Sequence, residues 1–268
     1  MRRLPCPALQ LPLATLEQCL YLTRTISDGM DETRITYLPD GTKTGVAGWN
    51  GTGVKYCGSF VYEKASPDSS YKLSSVLWDE GVISCGADST SLAGALFVRD
   101  HLGSVRSVVN LSAPASATIW DAILETRDYL PLGTEAVDTS DITYKTWAQN
   151  RWRYEGKETL PYTPAPTAVK DFGARYYDSY TASWLSADPK SWDYTSMSPY
   201  AFCAGDPEGI VDPDGRDIWQ MNEHGYILST ISTDDFDAIQ YVSAHRFRKY
   251  PRKNERPNEI EVAVVKGE

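Results

Sequence analysis

The sequence has no uninterrupted apolar run of about 18 residues, the length a bilayer-spanning helix needs, so a membrane span is not expected. Cysteine is sparse: Cys6, Cys19, Cys57, Cys85 and Cys203 are dispersed, odd in number and contain no CxxC pair. That pattern argues against a disulfide framework and a zinc site, leaving isolated small apolar residues. No metal or other cofactor is expected. Basic residues are too few to dominate: 26 Lys and Arg face 36 Asp and Glu, a formal charge of −10. Non-specific nucleic-acid binding by the chain as a whole is thereby disfavoured. A convincing secretion signal is also missing, because Pro7, Pro12 and Glu17 interrupt the apolar character of residues 1–22 and no small-residue cleavage site follows. Leu11–Leu22 reads as one short amphipathic helix.

What is abundant is the aromatic ring with a polar handle, 17 Tyr and 8 Trp against 6 Phe. Such rings suit half-wet β-surfaces, packing one edge while the hydroxyl or indole N–H meets water or backbone. Gly and Pro recur at short intervals, which favours many turns over long helices. From Arg34 the chain alternates β-like runs with turn residues. ITYLPDGTKTGV turns at Pro39-Asp40-Gly41. Gly53–Lys64 alternates as one strand. Lys72–Cys85 reads as two strands joined at Asp79-Glu80-Gly81, and Ala95–Asn110 as two more bent at Asp100–Gly103. Ile119–Leu130 fits either helix or strand, and consistency with its neighbours favours strand. Thr159–Ala168 is a proline-rich crossing loop. The expectation is an all-β assembly of irregular antiparallel hairpins, whose units must pair to bury a face.

Asp171–Arg216 is the densest stretch, with nine aromatic residues and three Asp-Pro steps at Asp188, Asp206 and Asp212 in 46 positions. Asp-Pro and Pro-Asp-Gly are ordinary turn sequences, and Asp206, followed by Pro-Glu-Gly, is assigned to a turn. Exposed Tyr and Trp also leave open a carbohydrate-binding β-module, although strand packing explains the same residues.

Five segments carry a family resemblance. RDHLGSVRSVV (99–109), RDYLPLGTE (127–135), YEGKE (154–158), ARYYDSYTASWLSADP (174–189) and SPYAFCAGDPEGIVDPDGR (198–216) resemble the Rhs/YD-repeat proteins. In this order they are similar to the C-terminal Rhs repeat-associated core domain. ITYLPDGTK, LSSVLWDEG and DIWQMNEHG resemble the versions found in gut Bacteroidetes-type bacteria. The resemblance implies a poorly defined N-terminal segment (1–32), a repeat-associated core (33–216) and a variable C-terminal tail (217–268). It further implies that the core is a fragment of a spiralling β-sheet shell, here long enough only for the last turns, belonging to a polymorphic toxin or surface protein. An upstream YD-repeat shell, a C-terminal cargo and an immunity protein are the implied partners, and a secreted or cell-surface location is the implied setting.

The same resemblance implies self-cleavage after the DPDGR motif, with Asp188 and Asp212 as catalytic groups and Arg216–Asp217 as the bond cut. Two carboxyl groups suit this work: one ionised group activates water while a protonated one assists the leaving amine. Pro after each aspartate fixes its backbone direction. Between RYYD and LSADP the sequence reads SYTAS, without the family's Gly-Arg, so a basic partner for a carboxylate is expected to be missing there.

The tail holds seven basic and nine acidic residues. Asp217–Ser232 reads as a hairpin turning at Asn222–Gly225, Thr233–Ser243 as a short helix, and Glu259–Val265 as a strand. His224, His245 and the basic run His245–Arg256 raise a toxin-nuclease alternative, but they form no metal-ligand or nucleophile–base spacing, and the run fits a solvated face.

Overall fold

In a computed structural model, residues 22–231 are described, apart from 28–29, 87–90, 137–144, 148–149, 164–167, 192–196 and 223. The expected N-terminal helix, apart from Leu22, the Thr233–Ser243 helix, the Glu259–Val265 strand and the basic run from His245 lie outside the described residues.

Ten strands follow one another in a meander: β1 (Thr25–Ser27), β2 (Glu32–Tyr37), β3 (Lys43–Ala47), β4 (Gly53–Cys57), β5 (Phe60–Lys64), β6 (Lys72–Trp78), β7 (Gly81–Cys85), β8 (Leu92–Arg99), β9 (Val105–Asn110) and β10 (Ile123–Thr126). They form a single ten-stranded antiparallel sheet in sequence order. The turns explain why each strand folds back on the last. Asp100 Oδ1 accepts the amides of Leu102 and Ser104 at 3.1 and 2.9 Å, and Gly103 takes the positive φ of 88° that closes the bend.

The single strand expected over Gly53–Lys64 is two strands. Gly58, at φ 58°, stands first in a two-residue loop, where a type II′ hairpin requires positive φ. Alternation of side chains continued through the loop and hid the reversal. Ile119–Leu130 also departs from an uninterrupted strand. A four-residue helix, α1 (Ile119–Ala122), begins it because Thr118 and Asp121 form a reciprocal capping box. β10 then pairs with β9. The joints expected at Asp79–Gly81 and Asp100–Gly103 are present as such.

Burial follows one face of the sheet. Ile35, Val46 and Val54 are direct cross-strand partners, and each is at most 4% exposed. Small sheets fold back over this face. β11 (Asp128–Tyr129) and β12 (Glu135–Ala136) form a hairpin, while β13 (Glu158–Thr159), β14 (Val169–Asp171), β15 (Tyr176–Asp178) and β16 (Ser183–Trp184) form a four-stranded sheet. Leu160, Val169 and Tyr176 pack on Ile35 and Val46, joining the sheets through one apolar cluster. Trp147 and Trp152 pack against the Val82, Phe97 and Val108 cluster further along. A last sheet joins β17 (Ile210–Val211), β18 (Ile218–Met221) and β19 (Ile227–Ile231), with β18–β19 turning at Asn222–Gly225 as expected. Among the described residues the fold is all-β with almost no helix, and none of their helices is long and apolar enough to cross a membrane.

Candidate functional site

The aromatic stretch is chiefly core. Tyr154, Phe172, Tyr177, Trp184 and Phe202 form one buried cluster with Cys203, Ile210 and Ile218. Phe202 stacks on Tyr177 at a centroid distance of 3.9 Å, and Phe172 meets Trp184 edge-on at 5.0 Å. These rings are spent on packing, as strand packing predicts and a sugar platform does not.

Arg175 stands at the margin of this cluster, fully buried. The β14–β15 turn positions it: Gly173 donates to Asp171 Oδ1 at 2.8 Å, and Ala174 donates to Asp214 O at 3.0 Å. Its guanidinium lies 4.0 Å from the Trp184 ring centroid. Nε donates to Gly215 O at 2.6 Å, and Nη2 donates to Asp212 Oδ2 at 3.2 Å. Nη1 is 2.9 Å from Asp188 Oδ2, an ion-pair contact off the hydrogen-bond direction. The structure therefore brings Asp188 and Asp212 onto one guanidinium. The basic partner expected to be lost from SYTAS is supplied by Arg175. Ser179 instead serves the fold, donating its hydroxyl to Ala168 O at 3.1 Å.

Asp212 is wholly buried, and its Oδ1 accepts the amides of Asp214, Gly215 and Arg216 at 3.2, 2.6 and 3.2 Å. Burial pushes its pKa up to about 6, overriding the opposing pull of Arg175. Asp188, whose side chain is 14% exposed, accepts the Lys190 amide at 2.7 Å through Oδ1. Burial raises its pKa as well, with Arg175 opposing. Burial is thus the main cause of both shifts, rather than the mutual repulsion expected of two adjacent carboxylates.

Residues 216 and 217 lie in the link between β17 and β18. Arg216 N–H donates to Asp212 and Asp214, and the Asp217 amide donates to Asp214 Oδ1 at 3.3 Å. Lys190 pairs with the Asp217 carboxylate. A polar cleft of about 340 Å³, lined in part by Lys43, Asp171, Asp214 and Arg216, opens beside this link. Asp206 holds a turn, accepting the Gly209 amide at 3.2 Å, as the sequence suggested.

Three further residues belong to the site, and none of them is marked by its local sequence. Asp214 lies within a turn motif, and its contact with the amide nitrogen of the 216–217 peptide is visible only in three dimensions. Glu155 is a buried carboxyl whose two oxygens lack hydrogen-bond partners, on a backbone at φ 47°. Burial drives its pKa well above the usual carboxylate range, Lys157 opposes this and Asp212 adds to it. Lys157 donates to Pro213 O at 2.6 Å and is lowered in pKa by burial. The YEGKE segment gave no chemical signal for this cluster, because its distance in sequence from Asp212 exceeds 50 positions. Cys203 is buried with a thiol pKa pushed up by burial, consistent with an inert core residue. Among the described residues no group of His, Cys, Asp and Glu could hold a metal ion.

No protein-family model matches the chain. It is 31% identical over 93 residues to the toxin subunit YenC2 of Yersinia entomophaga, a match covering 35% of this chain and 9% of that protein. The crystal structure of TcdB2-TccC3-Cdc42 is similar over 69% of this chain and 9% of its own, with a TM-score of 0.50 and 19% identity. A structure of the Photorhabdus luminescens Tc holotoxin pore is similar over 77% of this chain and 10% of its own, again with a TM-score of 0.50 and 19% identity. The chain spans about a tenth of the length of these proteins. It is homologous to that toxin subunit over about a third of its length, and it shares the β-fold of the matched part of these two solved structures.

Proposed function

We propose that this chain is the closing segment of an Rhs-type β-shell in a toxin complex and that it hydrolyses its own Arg216–Asp217 bond. The observation that carries the reading is the carboxylate of Asp212, buried against Arg175 while cradling the amides that lead into that bond. In the reaction, Asp188, the more exposed carboxylate, activates water for attack on the Arg216 carbonyl carbon. Asp212, with its pKa near 6, supplies the proton in its neutral form. Water contributes hydroxyl to Arg216, leaving a carboxylate; the C–N bond breaks, and the Asp217 nitrogen leaves as an amine. Asp214 holds the Asp217 amide during the approach, and Arg175 balances the charge that moves between the aspartates.

The shell role is supported by the meander itself. Among the described residues β1 and β10 are the outermost strands of the large sheet, and an edge strand is a template for further pairing. An upstream YD-repeat shell fits β1, and residues beyond the link stand where the family carries cargo. A Bacteroidetes-type origin, a secreted or cell-surface setting and an immunity protein directed at the tail belong to the same proposal.

Intact-mass measurement under denaturing conditions tests the cleavage. The expected result is two species, 1–216 and 217–268, collapsing to one in Asp188→Asn and Asp212→Asn. A single unbroken species from the unaltered chain between pH 5 and 8 would overturn it.

A further inference from the structure

The turn that leads into β13 is built around a residue it does not require. Lys157 N–H donates to Tyr154 O at 2.9 Å, and Glu155 and Gly156 between them take φ of 47° and 65°. Two positive φ values in succession mark a type I′ turn, whose first central position favours Asn, Asp or Gly. Glu155 carries a Cβ and a longer side chain into that left-handed conformation, which strains the backbone. Its carboxyl is also buried, with the residue 6% exposed, and neither oxygen has a hydrogen-bond partner. Strain, burial of an acid and unmet acceptors all oppose folding. Gly would make the same turn with none of the three.

What the position gains is a place beside Asp212. The charged groups acting on the Glu155 carboxyl are Lys157 on its own turn, Asp212 just after β17 and Asp100 from the β8–β9 bend. Cys203, on another segment, is influenced by both Glu155 and Asp212. Lys157 lies over the Phe172 ring, 5.0 Å from its centroid, and reaches Pro213 O. It thereby joins the turn to the residue that follows Asp212. Ser104 Oγ accepts the Glu155 amide at 2.9 Å and fixes the turn from the other side. Two buried carboxyls that act on each other do not ionise together, and the last proton stays on the pair, mainly on the group of higher pKa. Here that group is Glu155.

We propose that Glu155 is a positioning residue for the cleavage, acting through Asp212 as the store of the proton that Asp212 delivers. This rests on the cleavage reading above and deepens it. In the step, the Glu155 O–H passes its proton to the Asp212 carboxylate, and Asp212 gives it to the Asp217 nitrogen as the C–N bond breaks. The negative charge is left on Glu155, where the Lys157 ammonium opposes it. Above pH 6 an isolated Asp212 would be mostly ionised. While one proton remains on the pair, a fixed fraction of the chains keeps Asp212 in its acid form.

The test follows cleavage by denaturing mass in the full chain, purified in urea and refolded at stepped pH. Between pH 6.5 and 8 the unaltered chain is expected to slow by well under about tenfold per pH unit. Glu155→Gln and Glu155→Asn are expected to match it near pH 6 and to slow by about tenfold per unit above that, the slope of an isolated acid losing its proton. Their urea midpoints are expected to be no lower than that of the unaltered chain. Glu155→Asp, which restores a carboxyl, is expected to recover the shallow slope. Parallel pH profiles overturn the proposal. So does cleavage lost at every pH together with a lowered urea midpoint, the mark of a purely structural residue. An unbroken bond in the unaltered chain overturns the cleavage reading instead, and the proton store is then read directly. In Asp188→Asn, 13C NMR of Glu155 is expected to show a neutral carboxyl at pH 7, with a midpoint that falls when Asp212→Asn is added. A Glu155 carboxylate at pH 7, or a midpoint indifferent to Asp212, overturns the proposal by itself.

Discussion

Arg175 and Asp212 are buried against each other: Nη2 donates to Oδ2 at 3.2 Å, while Nε of the same guanidinium holds Gly215 O three residues further along the chain. One side chain thus fixes the carboxylate and the turn that carries it. Asp188 completes the ion triad from a third segment. Removing one member of such a buried set leaves the others charged and unpaired, which costs more than the pairing itself contributes.

Arg175→Ala is accordingly expected to lose about 3–5 kcal/mol of folding stability, the range for breaking a buried ion pair. Urea denaturation followed by tryptophan fluorescence measures it, since Trp184 lies under the guanidinium. A loss below about 1 kcal/mol, the size typical of an exposed pair, would show that the triad contributes little.

Glu155 makes a pH prediction of unusual sign. Its pKa is raised in the folded chain, so folding favours its protonated form. The stability it contributes is fully present below its unfolded pKa and is lost as pH rises through the elevated folded value. Glu155→Gln keeps the shape without the ionisation. The variant is expected to gain on the unaltered chain as pH rises from 5 to 8, by on the order of 1–3 kcal/mol, the cost of an unsatisfied buried polar group. Parallel stability profiles for the two proteins would refute this.

The proposed cleavage carries its own pH signature. In that proposal Asp212 acts in its neutral form, and burial raises its pKa to about 6. The rate is therefore expected to climb as pH falls from 8 towards 6, then to decline once Asp188 is protonated as well. A time course by denaturing mass spectrometry at stepped pH measures it. A rate that rises steadily above pH 7 would exclude Asp212 as the acid.

Leu160 tests the joint between the sheets. It is 0% exposed and packs with Ile35, Val46 and Tyr176. Leu160→Ala is expected to cost about 2–5 kcal/mol, as buried Leu truncations do. A change near zero in the denaturation midpoint would mean that the four-stranded sheet is not anchored there.

Much of the large sheet was legible because turn chemistry is local. Asp40-Gly41, Asp79–Gly81 and Asp100–Gly103 each hold their instruction within four residues, and strands on either side have little choice but to pair. Gly58 was the exception: a two-residue reversal inside an alternating run looks the same as an unbroken strand. At Ile119 the capping box of Thr118 and Asp121 is local too, but it starts only one helical turn before the chain joins the sheet. Asp188 and Asp212 were visible as motif positions, and the structure brings both to Arg175.

The sequence by itself determined the all-β hairpin order, the turn at Asp206 and the reversal at Asn222–Gly225, since each follows from residues adjacent in the chain. Only the tertiary structure decided that Arg175 would join Asp188 to Asp212, that Glu155 and Lys157 would lie buried beside them, and that Ile218 would lock the start of the tail into the aromatic core. Those outcomes depend on burial and on contacts between distant segments. Desolvation and packing have no magnitude until the chain has folded around the group.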